Sequence, residues 1–237
     1  MNKEDFIKKL DEEKLYYTKE MLDKLDIYCE FLIEYNEHTN LTAIKNKEDI
    51  YLKHFYDSIK AFSLVDLSNV YSLLDIGTGA GFPGIIIKIF YPDIEVYLLD
   101  SNNKKIKFLD ELIKKLDLVN IHTVYSRAED YAKDNLNKFD MVTSRAVAYI
   151  DIITNLSVPF IKENGLVVLM KGDFQDEFKV LQIHQKELNI KDIKVQSYFL
   201  PFLDDKRNIV ILKKNKLSNC VLPYNQILKQ NKKWKIQ

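Results

Sequence analysis

Asp75-Ile76-Gly77-Thr78-Gly79-Ala80-Gly81-Phe82-Pro83-Gly84 is the stretch that decides the fold. It follows an apolar run at residues 71–76 (YSLLDI) and leads into a helical segment opening at Pro83, since proline is well tolerated at a first helical position. Four of the six glycines in the 237-residue chain lie in these ten positions. Glycine permits a sharp turn and a close approach of ligand to main chain. A strand ending in such a cluster therefore predicts a ligand-binding loop rather than a bare turn.

Working outward, residues 95–100 (EVYLLD), 121–125 (IHTVY), 139–144 (FDMVTS) and 165–170 (GLVVLM) are further unalternating apolar runs. Such runs suit parallel strands covered by helices on both faces. The stretches between them carry helical periodicity, most clearly residues 104–116, where Ile106, Leu109, Leu112, Ile113 and Leu116 form one stripe. Strand and helix alternate, as in a doubly wound α/β domain. The last two runs, residues 193–200 and 208–213, are separated only by PFLDDKR. That is too short for a crossover helix and predicts an antiparallel hairpin at the sheet edge. Upstream, residues 4–66 read as helices, with Leu22, Leu25, Cys29 and Leu32 in one buried stripe and Leu52, Phe55, Ile59 and Phe62 in another. Asn40-Leu41-Thr42 interrupts the pattern, and Asn46 opens the second helix. The expected layout is a helical cap over 1–66, an α/β domain over 67–214 and a basic tail over 215–237.

Two ligands compete for the glycine loop. Gly79, Gly81 and Gly84 satisfy the dinucleotide pattern G-x-G-x-x-G. Asp100, ending the second strand, suits a ribose in either an NAD or an S-adenosylmethionine (SAM) site. SAM is favoured because D-x-G-x-G-x-G puts the Asp75 carboxylate beside the cofactor, tolerable near a sulfonium or ammonium and unfavourable near a pyrophosphate. The added reversed strand, which marks the methyltransferase variant of this sheet, points the same way. An NAD(P)-dependent oxidoreductase and a non-catalytic RNA-binding protein keeping a nucleotide pocket are the alternatives. Stabilisation by S-adenosylhomocysteine but not NADH, and product in a single turnover, separate the three.

Ser101 adds a hydroxyl beside Asp100. After the third strand, Ser126-Arg127-Ala128-Glu129-Asp130 offers backbone amides and an acid for an adenine edge, while Ser126 and Glu129 also read as a capping box. After the fourth, Ser144-Arg145-Ala146-Val147-Ala148 lacks the [N/D]-P-P-[Y/F] turn common in exocyclic-amine methyltransferases. Cys29 and Cys220 are far from the strand ends, which disfavours the thiolate chemistry of pyrimidine C5 methylation. A ring nitrogen with a free lone pair, such as guanine N7, remains. Arg145, at a strand's C-terminal end, faces the ligand crevice.

Hydrophobic residues at 46% and charged residues at 30% describe an ordinary globular chain. No apolar run approaches the ~18 residues of a membrane span, and MNKEDFIKKLDEEK has no apolar core of a signal peptide. A cytoplasmic location without a membrane partner is expected. The two isolated cysteines offer neither a disulfide framework nor a zinc site, and no metal is expected. The 35 basic and 35 acidic residues cancel, yet residues 213–237 hold seven lysines and no acid. A basic tail on an acidic body suits an anionic partner.

DIGTGAGFPG, Asn40-Leu41-Thr42, Lys53-His54-Phe55-Tyr56-Asp57-Ser58, SRAED, TSRAVA and the terminal LP…RNIVIL, running in order from about residue 15 to Lys214, resemble the RsmG (GidB) family. The resemblance implies a Rossmann-like class I SAM-dependent methyltransferase sheet of seven strands, the last antiparallel, with an N-terminal helical region. It implies methylation of 16S rRNA at N7 of guanine 527; the RNA is expected within the small ribosomal subunit or an assembly intermediate, and the chain is expected to be a monomer. Carried over by position, its cofactor contacts fall on Gly77, Phe82, Ala128, Glu129 and Arg145. With the loop and ribose residues the expected cofactor set becomes Asp75, Gly77, Gly79, Gly81, Phe82, Asp100, Ser101, Ala128, Glu129 and Arg145. Arg145, His54 and Asp57 are expected at the chemistry. The family's Arg-His-x-x-Asp-Ser pattern appears here with Lys53 first, keeping the charge and losing the guanidinium fork. Its Tyr-Pro-Arg-rich end is replaced by Val221-Leu222-Pro223-Tyr224-Asn225 and lysines.

Overall fold

The computed structural model describes residues 1–39, 41–44 and 46–234. Its strands are β1 (Ser72–Ile76), β2 (Glu95–Asp100), β3 (Ile121–Tyr125), β4 (Phe139–Arg145), β5 (Ile161–Lys171), β6 (Ile190–Leu200) and β7 (Asp205–Lys214). They form one sheet in the order β3-β2-β1-β4-β5-β7-β6. The first five strands pair in parallel. β6 and β7 form the expected hairpin, with β7 antiparallel against β5 and β6 at the edge. In β1, Asp75 is paired with Leu98 on one side and Thr143 on the other. The chain order reverses direction at β1/β4, and in open α/β sheets the crevice beyond the strands' C-terminal ends at such a point holds the ligand.

Before the sheet come α1 (Lys3–Glu12), α2 (Lys19–Thr39), α3 (Lys47–Ile50) and α4 (Asp57–Ser63), with a π-helical stretch, Tyr51–Tyr56, joining α3 to α4. Both stripes read from the sequence are buried. Asn46 caps α3, its Oδ1 accepting from Asp49 N at 2.8 Å. Leu52 and Phe55 of the second stripe lie in the π-helical stretch, whose wider turns the stripe's spacing does not distinguish from an α-helix. From residue 50 to 59 every side chain but that of Lys53 is buried. Most of the polar ones find partners: Tyr51 donates to Asp26, Tyr56 to Glu13, and Asp57 accepts from Tyr198, while the buried Ser58 Oγ has none.

These helices share one apolar core with α5 (Gly84–Phe90), α6 (Asn103–Lys115) and one face of the sheet. After the short α7 (Ala128–Tyr131), the helices α8 (Ile150–Ser157), α9 (Gln175–Ile183) and α10 (Tyr224–Trp234) contribute to the core of the other face. The segment expected as a basic tail is thus part of a layer. Asn231 Nδ2 donates to both carboxylate oxygens of Asp151 on α8, at 2.8 and 2.7 Å. Lys214, counted above among the tail lysines, is fully buried, its Nζ donating to the carbonyls of Val158 and Ile161 and to Asn137 Oδ1. Burial pulls that ammonium down to about 8. Asn40, and Lys235 of the seven lysines in residues 213–237, lie outside the described residues. Among the described residues, no helix is long and apolar enough to cross a membrane.

Candidate active site

Asp75 builds the glycine loop from beneath. Fully buried, it accepts at Oδ2 from Thr78 Oγ1 (2.7 Å) and from Gly84 N (2.9 Å), while Oδ1 has no hydrogen-bond partner. This corrects the expectation of a carboxylate beside the cofactor: Asp75 does not line the cleft. Gly84, the third glycine of the dinucleotide pattern, serves packing, since a Cβ there would stand 2.3 Å from Leu98 Cδ2 and 2.8 Å from Asp75 Oδ2. Pro83 precedes α5 instead of opening it, with Gly84 as the first helical residue.

Burial pushes the Asp75 carboxyl up to about 7 from 3.8, against the lowering pull of its Thr78 and Gly84 hydrogen bonds. Between those values the folded chain holds a proton that the unfolded chain has lost. Stability from this group is therefore complete below about pH 4 and is lost as pH rises through about 7. Asp75→Asn keeps an oxygen for Thr78 and Gly84 and removes the titration. The stability difference, parent minus variant, is expected to fall across that window in urea titrations; parallel profiles would contradict the assignment.

Beyond the ends of β1 to β4 lies an open cleft, at the place where an open α/β sheet holds its ligand. It gathers Gly77, Asp100, Ser101, Ala128 and Glu129 of the expected set. Asp100 accepts from Gly79 N (3.0 Å) and Asn102 N (2.9 Å), with Lys105 Nζ 3.5 Å away. Space is open above Gly79, where an added Cβ would meet only Gly77 O at 3.9 Å. The capping box read at Ser126 and Glu129 does not form: Arg127 precedes α7 and no side chain caps it. An acid at the end of β2, small residues after β3 and a glycine floor suit an adenosine ligand.

Gly81 and Phe82 lie outside this lining. A Cβ on Gly81 would stand 2.5 Å from Ile85 Cγ1 and 2.8 Å from the Tyr28 hydroxyl. The Phe82 ring is sandwiched between Tyr28 (centroids 5.1 Å, planes 9° apart) and His54 (4.2 Å, 12°). Tyr28 OH also donates to Ala80 O. Phe82 therefore packs the loop against α2 and the π-helical stretch.

Arg145 ends β4 in a cage drawn from distant parts of the chain. Its Nη2 donates to Lys53 O (2.8 Å) and contacts His54 Nδ1 at 2.9 Å, and its Nη1 lies 3.6 Å from Asp57 Oδ2. A guanidinium only donates, so His54 Nδ1 accepts and the ring proton sits on Nε2, 3.3 Å from Thr42 Oγ1. Burial and the Arg145 charge hold His54 down at about 3, so it is neutral. Burial raises the Asp57 carboxyl, against the pull of Arg145, Tyr198 and Arg207. Lys53 serves through its carbonyl while its ammonium pairs with Asp49 at 3.1 Å. The loss of the family's arginine there leaves this contact intact.

The Arg145 cage borders a second recess, which is also lined by Tyr198 and Arg207. Arg145 and Ala146 line the recess and Val147 the cleft, with Ala146 at φ 54° between them. Sequence reasoning missed Val147, Tyr224, Tyr198 and Arg207. Arg207 had one signal: a reversed last strand brings its first residues to the edge where β4 and β5 end, and Asn208 is indeed paired with Lys171. Cys29 is buried in α2, its thiol raised to about 11 by burial, and Cys220 is exposed and lines neither cavity. Among the described residues, no group of three or more His, Cys, Asp or Glu side chains is placed to hold a metal ion.

Sheet order, reversed β7 and cleft position define a class I SAM-dependent methyltransferase. A predicted O-methyltransferase of Agrobacterium tumefaciens superposes with a TM-score of 0.56 at 14% identity, over 73% of this chain and 95% of that one. TYW2 of M. jannaschii, solved in complex with AdoMet, gives 0.54 at 15% identity, over 68% and 75%. The "Ribosomal RNA small subunit methyltransferase G" of Bacillus velezensis is 41% identical over 219 residues, 91% of this chain and 92% of that protein. The family model described as GidB, rRNA small subunit methyltransferase G, matches residues 21–210, and the chain belongs to that family. It is a SAM-dependent methyltransferase of 16S rRNA. The oxidoreductase and non-catalytic readings fall with that assignment.

Proposed function

We propose that this chain methylates N7 of guanine 527, with the cofactor in the cleft of Gly77, Asp100, Ser101, Ala128 and Glu129 and the guanine in the recess at Arg145. Asp75, Gly79, Gly81 and Phe82 shape and brace the loop. The observation that carries the atom assignment is the state of the groups around Arg145. His54 presents Nδ1 only to the guanidinium and is neutral. Asp57 is engaged by Tyr198 and lies beside two arginines. A recess with no free base among the described residues suits a nucleophile that already owns a lone pair. SAM, held by Gly77, Asp100, Ser101, Ala128 and Glu129, would supply an electrophilic methyl with S-adenosylhomocysteine as leaving group, and N7, taking it on its own lone pair, would have no proton to lose. What the chain adds is alignment. Arg145 and Arg207 offer donors to the base or its phosphate.

The test is methyl transfer from labelled SAM to small ribosomal subunits of a strain lacking this gene, followed by borohydride–aniline cleavage at N7-methylguanine. One cleavage at the expected guanine is the predicted result. Labelled RNA that resists cleavage overturns the N7 assignment.

A further inference from the structure

The C-terminal segment is laid along the molecule by two asparagines in left-handed turns, Asn189 and Asn137, at φ 59° and 54°, a conformation asparagine tolerates better than most residues. Asn189 Nδ2 donates to Lys216 O at 2.8 Å, and Asn189 O accepts from Asn215 N. Asn137 makes a reciprocal pair with Ser218, through Ser218 O (2.8 Å) and Ser218 N (2.9 Å). Val221 and Leu222 then pack against the core beneath α8. Next comes Tyr224, which lines the cofactor cleft together with Gly77, Asp100, Ala128 and Glu129, and shares a neighbouring hollow with Glu129. The chain is fixed again beyond it by the buried Asn231–Asp151 bonds and by Trp234, stacked on His184 at 4.0 Å and 9°. Tyr224 itself is 36% exposed. So many anchors on either side of one half-exposed ring in the cleft wall are not needed to bury that ring. They fix where it stands.

We propose that residues 215–234 form a clasp on the cofactor cleft, with Tyr224 covering the adenine of SAM and α10 holding it there. The proposal rests on the cleft being the cofactor site. Adenine is the part of the ligand concerned because Tyr224 lines both the cleft and the adjoining hollow together with Glu129, with Ala128 also in the cleft lining, and any purine face stacks on an aromatic ring.

The single tryptophan of the chain, Trp234, reports α10 docking by its fluorescence. The experiment measures S-adenosylhomocysteine and methylthioadenosine binding calorimetrically in the full chain and in Tyr224→Ala, Tyr224→Phe and Asn231→Ala. Tyr224→Ala is expected to weaken both ligands by the same factor, about tenfold, with Tyr224→Phe near the parent value. Asn231→Ala is expected to weaken both and to shift Trp234 emission to the red. Parent-like binding in Tyr224→Ala overturns the clasp while leaving the cleft intact. A loss confined to S-adenosylhomocysteine overturns the adenine contact. If the parent binds neither ligand, the cleft reading itself fails.

Discussion

Gly77→Asp is expected to weaken S-adenosylhomocysteine binding about 100-fold or more, with the chain still folded but less stable by ~1–3 kcal/mol. Gly77 sits at φ 68°, a conformation L side chains rarely adopt, and a Cβ there would stand 2.5 Å from Val147 Cγ2. Val147 Cγ2 would have to turn aside, and the left-handed backbone at Gly77 would remain strained after it had. The new carboxylate would also join Asp100 in the wall of the same cleft. Gly79→Ala is the control. It shares the strained backbone, at φ 63°, but its Cβ meets only Gly77 O at 3.9 Å, so a loss of about tenfold or less is expected. Isothermal titration of both variants checks the pair. Parent-like affinity in Gly77→Asp would remove the loop from the cofactor site.

Arg145→Ala is expected to cut the single-turnover methylation rate about 100-fold, the scale of an ångström-sized misplacement of reacting groups. Cofactor affinity should change by no more than about threefold, because Arg145 lines the recess of Asp57 and Tyr198 and not the cleft of Asp100. That split between rate and affinity distinguishes a target-side residue from the cofactor contact which the family resemblance implies. The variant also leaves His54 Nδ1 and Asp57 Oδ2 without the guanidinium, for a stability loss of ~1–3 kcal/mol. Without that charge the His54 pKa rises, burial alone still holding it low. Arg145→Lys keeps a charge and cannot reach three partners in a fork, so it should recover little of the rate. A tenfold loss of S-adenosylhomocysteine affinity in Arg145→Ala would place the residue in the cofactor cleft.

The strands and their alternation with helices were legible in the chain, although α10 was expected as a basic tail and the π-helical Tyr51–Tyr56 as ordinary helix. Apolar runs of strand length, a helix stripe such as Ile106–Leu109–Leu112 and a glycine cluster are local signals, set by neighbours a few residues away, and they place Gly77, Asp100 and Ala128 at strand ends facing one crevice. The hairpin length likewise fixed the reversed β7, because seven residues cannot carry a crossover. Tertiary structure alone decided what those side chains touch. Asp75 turned under the loop, Phe82 went between Tyr28 and His54, and Arg145 met Lys53 and His54, 92 and 91 residues earlier. Asp57 found Tyr198 at a separation of 141, and the lysine-rich end folded back to set Tyr224 against the cofactor cleft. A side chain's identity states which bonds it can make, whereas the partner is chosen by how the helical cap and the sheet close on one another, and no period or spacing in the chain records that distance.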